Sequence, residues 1–466
     1  MKQRQPPVDP GDRITIDIDN QSHTGDGVGK VNGFTVFVPS ALPGERVRVQ
    51  VQKVKKTYAH ARVEEWEETS PDRVDPFCPI FEQCGGCQLQ HLAYPAQLRM
   101  KERQVADSFS RIAGMEGVKV LPVMGMEQPW HYRNKAQVPF SGRRGETVAG
   151  FYAAGTHEIV PYESCFIQQE TNDQTIQAVI DIVRELDIPP YEERLHRGLL
   201  RHVMVRTGKR TKEVMVVLVT NGPRLPRKRE LLTRLEKRVP GLASVVQNIH
   251  PRRSNTVLGK ENRVLWGKGW IEDAIGPVRF RISPHSFFQV NPDQTVVLYE
   301  EVRRRAALTG GETVVDAYCG IGTIGLYLAR DAGRVLGVES VEQAVEDARL
   351  NAELNGIIHA SFEVGAAEEI MPRWADEGIR PDVIVVDPPR KGCAPELLEA
   401  AVRMEPERLI YVSCNPATLA RDAAILADQG YVTNEVQPVD LFPHTHHVEC
   451  VAAFTREEGS SIPDGS

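Results

Sequence analysis

The strongest constraint on the fold is a regular alternation of strand-like and helix-like segments over residues 292–456. Short apolar runs that are each followed by a helical pattern are typical of a parallel sheet covered by helices on both faces. The amphipathic stretch Val341–Leu354, closed by Gly356, is the clearest of the helical patterns. This part of the chain is therefore predicted to form an α/β, Rossmann-like, doubly wound sheet. The predicted strands are Thr313–Asp316, Arg334–Glu339, Val383–Asp387, Leu409–Val412 and His447–Thr455.

A glycine-rich turn follows the first of these strands. Gly320, Gly322 and Gly325 fit the G-x-G-x-x-G spacing that brings a backbone close to a nucleotide. Glu339 ends the next predicted strand, at the distance expected of an acid that binds ribose hydroxyls. Dehydrogenases and methyltransferases share this pattern, and a glycine turn that binds nothing is the plainer alternative.

The run Asp387-Pro388-Pro389-Arg390 favours the methyltransferases. A carboxylate followed by two prolines forms a rigid, donor-poor loop, which suits chemistry on a planar nitrogenous ring better than hydride transfer. S-adenosylmethionine is therefore the expected cofactor. The alternative is that Asp387 only caps a helix, which the two prolines disfavour.

Cys414 occupies a predicted strand-to-helix junction, in Ser413-Cys414-Asn415-Pro416. The unpaired N–H groups and the dipole at a helix N-terminus favour the thiolate over the thiol, and Pro416 fits the first helical turn. Cys414 is thus a candidate nucleophile. Free cysteines are more often small buried hydrophobes, so this role requires a nearby electrophile.

The N-terminal segment reads as short strands separated by turns. The predicted strands are Ile14–Ile18, Gly33–Val38, Arg46–Val54 and Ala59–Glu64. They predict a small OB-like β-barrel, and barrels of this type often bind oligonucleotides. Lys53, Lys55, Lys56 and Tyr58 suit contacts to a nucleic-acid backbone and base stacking. The segment resembles the RNA-binding TRAM domain, although a barrel can also serve only to pack against its neighbour.

The middle of the chain predicts an α+β domain. Val214–Val219 reads as a buried strand and Asp173–Leu186 as an amphipathic helix. A chain of 466 residues exceeds what one core usually supports. We therefore expect three domains, at residues 7–65, 66–283 and 284–460.

Charge and hydropathy bear on location and partners. Met1–Asp12 is polar, and no later stretch is apolar enough to span a bilayer, which predicts a cytoplasmic protein with no membrane partner. The net charge of −7 argues against a surface coated uniformly for nucleic acid. Leu195–Arg253 nevertheless carries 15 Lys and Arg against 3 Glu and could hold phosphates, unless it is only a solvated charged face.

Four separated motifs resemble those of one enzyme family. They are Ser286-Phe287-Phe288-Gln289-Val290-Asn291, Asp387-Pro388-Pro389-Arg390, Ser413-Cys414-Asn415-Pro416 and His446-His447-Val448-Glu449-Cys450. Together they resemble the uracil-5-methyltransferases of structured RNA. Over almost the whole chain the likeness is to the 23S rRNA (uracil-5-)-methyltransferases that carry an iron–sulfur cluster.

The resemblance implies a covalent mechanism. Carbon 5 of uracil is a poor nucleophile, so the Cys414 thiolate is expected to add to carbon 6, and Glu449 to remove the proton from carbon 5 after methylation. A carboxylate paired with His446 or His447 is the alternative for Glu449. Phe287 and Phe288 either stack on an extruded uridine or form a buried aromatic pair. The resemblance also assigns S-adenosylmethionine contacts to Gln289, Tyr318, Glu339 and Asp387.

The resemblance further implies a 4Fe-4S cluster held by Cys78, Cys84, Cys87 and Cys165. Of the 8 cysteines, the first three stand at short spacing in one loop, and a reducing cytosol disfavours disulfides. Zinc bound by three of these cysteines and His91 is the competing interpretation. The x5 gap and the match of Cys165 favour iron and sulfur.

The expected substrate is 23S ribosomal RNA with an extruded uridine, and we expect a monomer. Three other functions stay open. A transfer-RNA uracil-5-methyltransferase shares the catalytic motifs but typically lacks the barrel and the cysteines. Cytosine-5 methylation also uses a thiolate, although those families place it in other motifs. The third is an RNA-binding scaffold that retains the fold without catalysis.

Overall fold

The first five strands close into a barrel in the order β1-β2-β3-β5-β4. The computed structural model describes residues 6–143 and 146–456. The barrel strands are β1 (Arg13–Gln21), β2 (Gly27–Val31), β3 (Phe34–Val38), β4 (Arg46–Val54) and β5 (Tyr58–Glu68). Alternate side chains of β4, including Val47, Val49 and Val51, are buried in the barrel core, as the period of two requires. The OB-like barrel is confirmed.

Strand β2 lies where the sequence predicted only a turn. Gly27 and Gly29 belong to the strand, whereas Gly25 occupies the turn before it with a φ of 93°. A Cβ on Gly27 would lie 2.7 Å from the carbonyl oxygen of Ala41. These strand glycines therefore permit a close backbone approach, which the sequence alone did not distinguish from turn chemistry.

The central region contains a seven-stranded sheet in the order β13-β12-β11-β10-β7-β8-β9. Its elements in chain order, including the short strand β6, are α1 (Tyr94–Ser108), β6 (Lys119–Val120), β7 (Lys135–Arg143), β8 (Glu146–Tyr152), β9 (Ile159–Pro161), α2 (Glu170–Glu185), β10 (Leu200–Thr207), β11 (Val214–Thr220), α3 (Lys228–Arg238), β12 (Leu242–Ile249) and β13 (Glu261–Gly267). A π-helical turn, Phe109–Ala113, continues α1. The expected α+β character is confirmed, and α2 and β11 lie where the sequence placed a helix and a buried strand.

A hairpin and one long helix lead into the C-terminal sheet. That sheet has nine strands in the order β18-β17-β16-β19-β20-β23-β22-β6, with β21 paired to β23. The elements are β14 (Ile271–Ile275), β15 (Val278–Ile282), α4 (Pro292–Ala306), β16 (Thr313–Ala317), α5 (Thr323–Leu328), β17 (Arg334–Glu339), α6 (Glu342–Leu354), β18 (Ala360–Val364), α7 (Ala367–Asp376), β19 (Val383–Val386), α8 (Pro395–Arg403), β20 (Arg408–Ser413), α9 (Pro416–Asp428), β21 (Tyr431–Val432), β22 (Glu435–Val439) and β23 (Glu449–Arg456).

The sheet is not parallel throughout. Strands β16 to β20 pair in parallel, as predicted, but β23 runs antiparallel to β20 and to β22. The reason is the connection from β22 to β23, which returns the chain through a loop instead of a crossover helix. The last strand also begins at Glu449, two residues later than predicted. The expected domain end at residue 460 lies outside the described residues.

The sheet places the ends of four strands along one edge. Because β16, β17, β19 and β20 are parallel, their carboxyl ends meet there, which is where open α/β sheets bind ligands. The strand interiors are fully buried between helices on both faces. Within residues 6–143 and 146–456, no helix combines the length and the apolar character needed to cross a membrane.

Candidate active site

Three titratable side chains converge at the carboxyl edge of the sheet. Cys414 follows β20, Asp387 follows β19, and Glu449 begins β23 beside them. Strands β20 and β23 are paired so that Ser413 lies opposite Cys450, which sets Cys414 and Glu449 at adjacent strand ends. The charges of Glu449 and Asp387 both act on the Cys414 thiol. The structure thus brings together a thiol and two carboxyl groups that are far apart in sequence.

Glu449 is a buried carboxyl group with an elevated proton affinity. Only 4% of the residue is exposed. Burial, followed by the negative charge of Asp387, raises the pKa of Glu449 to about 8, and Arg390 partly opposes this. Burial also raises the pKa of Asp387 to about 7. Carboxyl groups tuned toward neutral pH are suited to accept and release protons during a reaction.

The environment of Cys414 corrects one expectation. The helix after it is present, with Asn415 as N-cap accepting the N–H of Ala417 and Pro416 in the first turn. Burial and the charges of Glu449 and Asp387 nevertheless raise the pKa of Cys414 to about 11. The helix N-terminus therefore does not leave a free thiolate, because the half-buried thiol faces two carboxyl groups.

Arg390 places a positive charge at the carboxyl edge of the sheet, a role that was not predicted from the sequence. Its charge opposes the rise in the pKa of both Cys414 and Glu449 without reversing it. Its carbonyl oxygen accepts the side-chain N–H of Asn415 at 3.0 Å, and its guanidinium lies 3.1 Å from Nε2 of His447. Its place directly after Asp387-Pro388-Pro389 was the available signal.

The glycine turn forms an open cradle at the ends of β16 and β17. Gly320 has a φ of 56°, and a Cβ placed there would meet no atom within 4 Å. The Gly320 N–H donates to Glu339 at 3.2 Å, and the Gly325 N–H donates to the buried Asp316 at 2.7 Å. A Cβ on Gly325 would lie 2.8 Å from that Asp316 oxygen. Backbone and carboxylate are therefore arranged for close approach of a nucleoside.

Tyr318 and Gln289, two further members of the expected cofactor set, lie on different segments. Tyr318 lies directly after β16 in a left-handed conformation, φ 63°, and its hydroxyl donates to Glu368 at 2.9 Å. Gln289 precedes α4 and is buried, with its carbonyl oxygen accepting the side chain of Asn134 at 3.1 Å. Glu339 is linked to the turn by its bond from the Gly320 N–H, and Tyr318 begins the turn directly after β16.

The two aromatic residues before Gln289 differ completely in exposure. Phe288 is buried and packs against Phe280, with ring centroids 5.8 Å apart. Phe287 is 68% exposed. The buried-pair interpretation therefore applies to Phe288 alone, and Phe287 is free to contact a substrate base.

The four predicted cluster ligands line one cavity. Cys78, Cys84, Cys87 and Cys165 surround a space of about 250 Å³ together with Arg133 and other residues. Burial and the neighbouring cysteines Cys84 and Cys78 raise the pKa of Cys87 to about 11. Backbone contacts fix two members, since the Cys78 N–H donates to Gln90 and the Cys165 N–H to Asp173.

The described residues show no metal site, so the 4Fe-4S cluster stays a prediction. No group of three or more His, Cys, Asp or Glu side chains in the described ranges is arranged to hold one metal ion. His91, the fourth ligand in the competing zinc interpretation, does not line the cavity; it is buried against Phe81, and neither ring nitrogen has a hydrogen-bond partner among the described residues.

The basic side chains of residues 195–253 lie in different environments. Arg201 and Arg206 on β10 are buried. On α3, Arg234 and Arg238 both pair with Glu185. The basic side chains are therefore divided among buried, ion-paired and exposed positions, so the segment is not simply a solvated charged face, and its phosphate-binding role stays a prediction.

Similarity to known proteins is consistent along the chain. Residues 7–63 match the TRAM domain, and residues 274–457 match the family described as tRNA (Uracil-5-)-methyltransferase. A protein of Halalkalibacterium halodurans, described as an uncharacterized RNA methyltransferase, is 53% identical over 97% of this chain and 99% of its own. A Bacillus cereus protein with the same description is 50% identical over 97% of this chain and 98% of its own.

A solved structure extends the similarity to the fold. The tRNA (uracil-54, C5)-methyltransferase of Pyrococcus abyssi, in complex with S-adenosyl-L-homocysteine, superimposes with a TM-score of 0.76 at 32% identity. The match covers 95% of this chain and 100% of that one. The chain therefore belongs to the uracil-5-methyltransferase family of S-adenosylmethionine-dependent RNA methyltransferases and carries an N-terminal TRAM domain.

Proposed function

We propose that the protein methylates carbon 5 of a uridine in 23S ribosomal RNA through a covalent adduct between Cys414 and carbon 6. The observation that carries the mechanism is the convergence of Cys414, Asp387 and Glu449 at one sheet edge, with each charge acting on its neighbours. A thiol beside a buried carboxyl group supplies both a nucleophile and a base.

The thiol must first lose its proton. With a pKa of about 11, Cys414 is protonated at neutral pH. Asp387, whose pKa is about 7, is the nearby group that accepts this proton, which leaves the Glu449 carboxylate available as the base for the later step. The thiolate then adds to carbon 6 of uracil, and Arg390 stabilises the negative charge at this edge.

Glu449 acts after methylation. When bound, S-adenosylmethionine would supply the methyl group, which it carries on a positively charged sulfonium. Glu449 in its charged form takes the proton from carbon 5, the carbon 5–carbon 6 double bond re-forms, and the thiolate of Cys414 leaves. Its burial excludes water from the proton transfer and favours the uncharged product of that transfer.

We assign cofactor binding to Glu339, Tyr318, Gln289 and Asp387. Glu339 is already oriented by the Gly320 N–H and ends β17 where a ribose hydroxyl would be bound. The open space at Gly320 supports a ligand against the turn. Replacing Glu339 by Gln should weaken binding of S-adenosylmethionine, measured by calorimetry, with little change in the melting temperature.

We further propose that Cys78, Cys84, Cys87 and Cys165 hold a 4Fe-4S cluster. Their shared cavity supports this, and so does the position of His91 outside it. When bound, the cluster would cross-link the loop of the first three cysteines to Cys165, and the reaction uses no electron from it. Anaerobically purified protein should show broad visible absorbance and contain iron and sulfide, and serine in place of Cys84 should remove both. Zinc without iron would contradict the proposal.

Transfer RNA is the second candidate substrate. The Pyrococcus abyssi structure that resembles this chain over nearly its full length belongs to an enzyme named for uracil 54 of tRNA. The four-cysteine cavity supports ribosomal RNA, through the resemblance to the iron–sulfur ribosomal enzymes. The barrel is compatible with both, because it binds RNA without fixing its identity.

Labelled S-adenosylmethionine distinguishes these substrates. The protein is incubated with unmodified 23S ribosomal RNA and with unmodified transfer RNA, and the labelled nucleotide is mapped. Label at carbon 5 of a uridine in 23S RNA alone is the expected result. Label only in transfer RNA would refute the ribosomal assignment, and labelled cytidine would refute uracil chemistry.

A further inference from the structure

The loop that leads into Glu449 is held by a separate part of the chain. Residues 440–448 connect β22 to β23, and Val439 and Glu449 face each other across the two strands. We call residues 440–448 the return loop. Most of the contacts that fix it come from residues 88–132, which precede the central sheet; Asn291 also donates to the Leu441 carbonyl and Arg390 lies against His447.

A buried ion pair anchors the start of the return loop. Lys101 on α1 and Asp440 are both fully buried, and the Lys101 Nζ lies 2.6 Å from an Asp440 carboxylate oxygen. The same ammonium donates to the carbonyl of Phe442 at 3.1 Å. The Tyr94 hydroxyl donates to the second Asp440 oxygen at 2.9 Å and accepts the N–H of Met126 at 2.8 Å. Every polar group of this anchor is therefore satisfied.

The middle of the return loop is anchored at His444. Gln97 on α1 accepts the His444 N–H at 3.0 Å, and its amide nitrogen lies 3.2 Å from the His444 ring. The Trp130 ring stacks on His444 with centroids 3.7 Å apart. His444 has a φ of 67°, a conformation that non-glycine residues keep only when surrounding contacts impose it. The Tyr132 hydroxyl adds a 3.0 Å bond to the Pro443 carbonyl.

The loop that carries Cys78, Cys84 and Cys87, here called the cysteine loop, leads into a segment that also contacts His444. The N–H groups of Gln88 and Leu89 both donate to the carbonyl oxygen of His444, each at 3.0 Å. Gln88 directly follows Cys87, which lines the cysteine cavity. The loop of the cysteine cavity and helix α1 thus converge on one residue of the return loop.

We propose that Tyr94, Gln97 and Lys101, with the N–H groups of Gln88 and Leu89, are positioning residues for the release half of the reaction. They hold the return loop so that Glu449 reaches the proton on carbon 5 of the methylated adduct. The inference rests on the proposed function and adds a role for α1 and the cysteine loop. It also gives a role to a buried ion pair that apolar residues could replace without loss of stability.

Proton removal and thiolate release both depend on the position of Glu449. The Glu449 carboxylate forms an O–H bond with the carbon 5 proton, and the electron pair of the broken C–H bond forms the double bond between carbons 5 and 6. The carbon 6–sulfur bond breaks, and its electron pair returns to Cys414. A displaced Glu449 leaves the thiolate addition and the methyl transfer intact but stops the sequence at the methylated adduct.

Two variants test the proposal in the full-length protein with the RNA transcript that it methylates. Tyr94→Phe removes one hydroxyl without changing volume. The pair Lys101→Met with Asp440→Leu removes both buried charges and avoids leaving either one unpaired. We expect the first-turnover rate of methyl transfer to be retained and proton removal to slow by about 10- to 100-fold, the cost of a small misplacement of a reacting group. The methylated protein–RNA adduct then accumulates on denaturing gels.

Tyr431→Phe is the matched control. Tyr431 is buried, whereas Tyr94 is partly buried, and the Tyr431 hydroxyl donates to the Pro406 carbonyl at 2.8 Å, away from the return loop. It should not accumulate adduct. If α1 has only a structural role, the rate of release should depend on stability alone. A double variant whose melting temperature matches that of the parent protein should then release methylated RNA at the parent rate, and this result would contradict the positioning role.

Glu449→Gln separates failure of this inference from failure of the proposed function. If it traps the adduct while neither α1 variant does, the positioning role is refuted and the mechanism stands. If it traps no Cys414-dependent adduct, the mechanism itself fails, and the positioning role fails with it. Equal slowing of methyl transfer and release in the α1 variants would also refute the positioning role.

Discussion

Replacing Glu449 by Gln should stabilise the protein at alkaline pH, although it removes the catalytic base. The carboxyl group has a pKa of about 8 in the folded chain, against 4.5 for an ordinary glutamate. Between these values the folded state binds a proton that the unfolded state has released. Stability therefore falls as the pH rises from about 4.5 to about 8, and a neutral glutamine escapes this loss.

The size of the effect follows from the same two values. A rise from 4.5 to about 8 corresponds to at most about 5 kcal/mol, at about 1.4 kcal/mol for each pKa unit. The stability gain of Glu449→Gln should therefore be largest above pH 8 and should shrink toward pH 5. The informative quantity is how much the stability change caused by Glu449→Gln differs between the two pH values, because any packing cost of the amide is the same at both.

The assay is thermal or urea unfolding of both proteins at pH 5.5 and pH 8.5. Glu45→Gln is the matched control: burial alone would raise the pKa of Glu45, but bonds from Arg73 and the Leu42 N–H lower it overall. That variant should lose stability at neutral pH and lose less under acid conditions, once Glu45 itself becomes protonated. A Glu449→Gln difference that is independent of pH would refute the buried, protonated state assigned to Glu449.

Three further predictions concern rate, substrate contact and the cofactor turn. Release of methylated RNA should rise about tenfold from pH 6 to pH 7 and level off above about pH 8, because Glu449 must be charged; a flat single-turnover profile would contradict this. Phe287→Ala should weaken RNA binding in filter assays with stability unchanged, whereas Phe288→Ala should cost about 3–5 kcal/mol of unfolding free energy. Gly325→Ala, whose Cβ would lie 2.8 Å from Asp316, should raise the KM for S-adenosylmethionine, and Gly117→Ala, which meets no atom within 4 Å, should not.

Local patterns were sufficient for the strand and helix that flank Cys414. An apolar run followed by an asparagine, a proline and a helical period specifies β20 and α9 without reference to distant residues. The direction of β23 could not be obtained in this way, because parallel and antiparallel strands have similar apolar patterns and differ in the connection between them. The same limit applies to Gly27, whose close neighbour Ala41 is known only from the fold.

Electrostatic properties of the site required the tertiary structure. The sequence predicted a thiolate at Cys414 from the helix N-terminus, and the structure adds Glu449 and Asp387, which reverse the direction of the pKa change. The anchor of the return loop is equally nonlocal, since Lys101 and Asp440 are 339 positions apart. The shared cavity of Cys84 and Cys165 is also a product of folding, although the residues themselves were identified from the sequence.

Mass spectrometry of the Glu449→Gln protein after reaction with S-adenosylmethionine and unmodified 23S RNA tests the central claim most directly. After nuclease and protease digestion, the peptide containing Cys414 should carry a uridine nucleotide with one added methyl group. The same experiment with Cys414→Ala in addition should yield no such peptide. An unmodified Cys414 peptide alongside RNA that has been methylated would contradict the covalent mechanism.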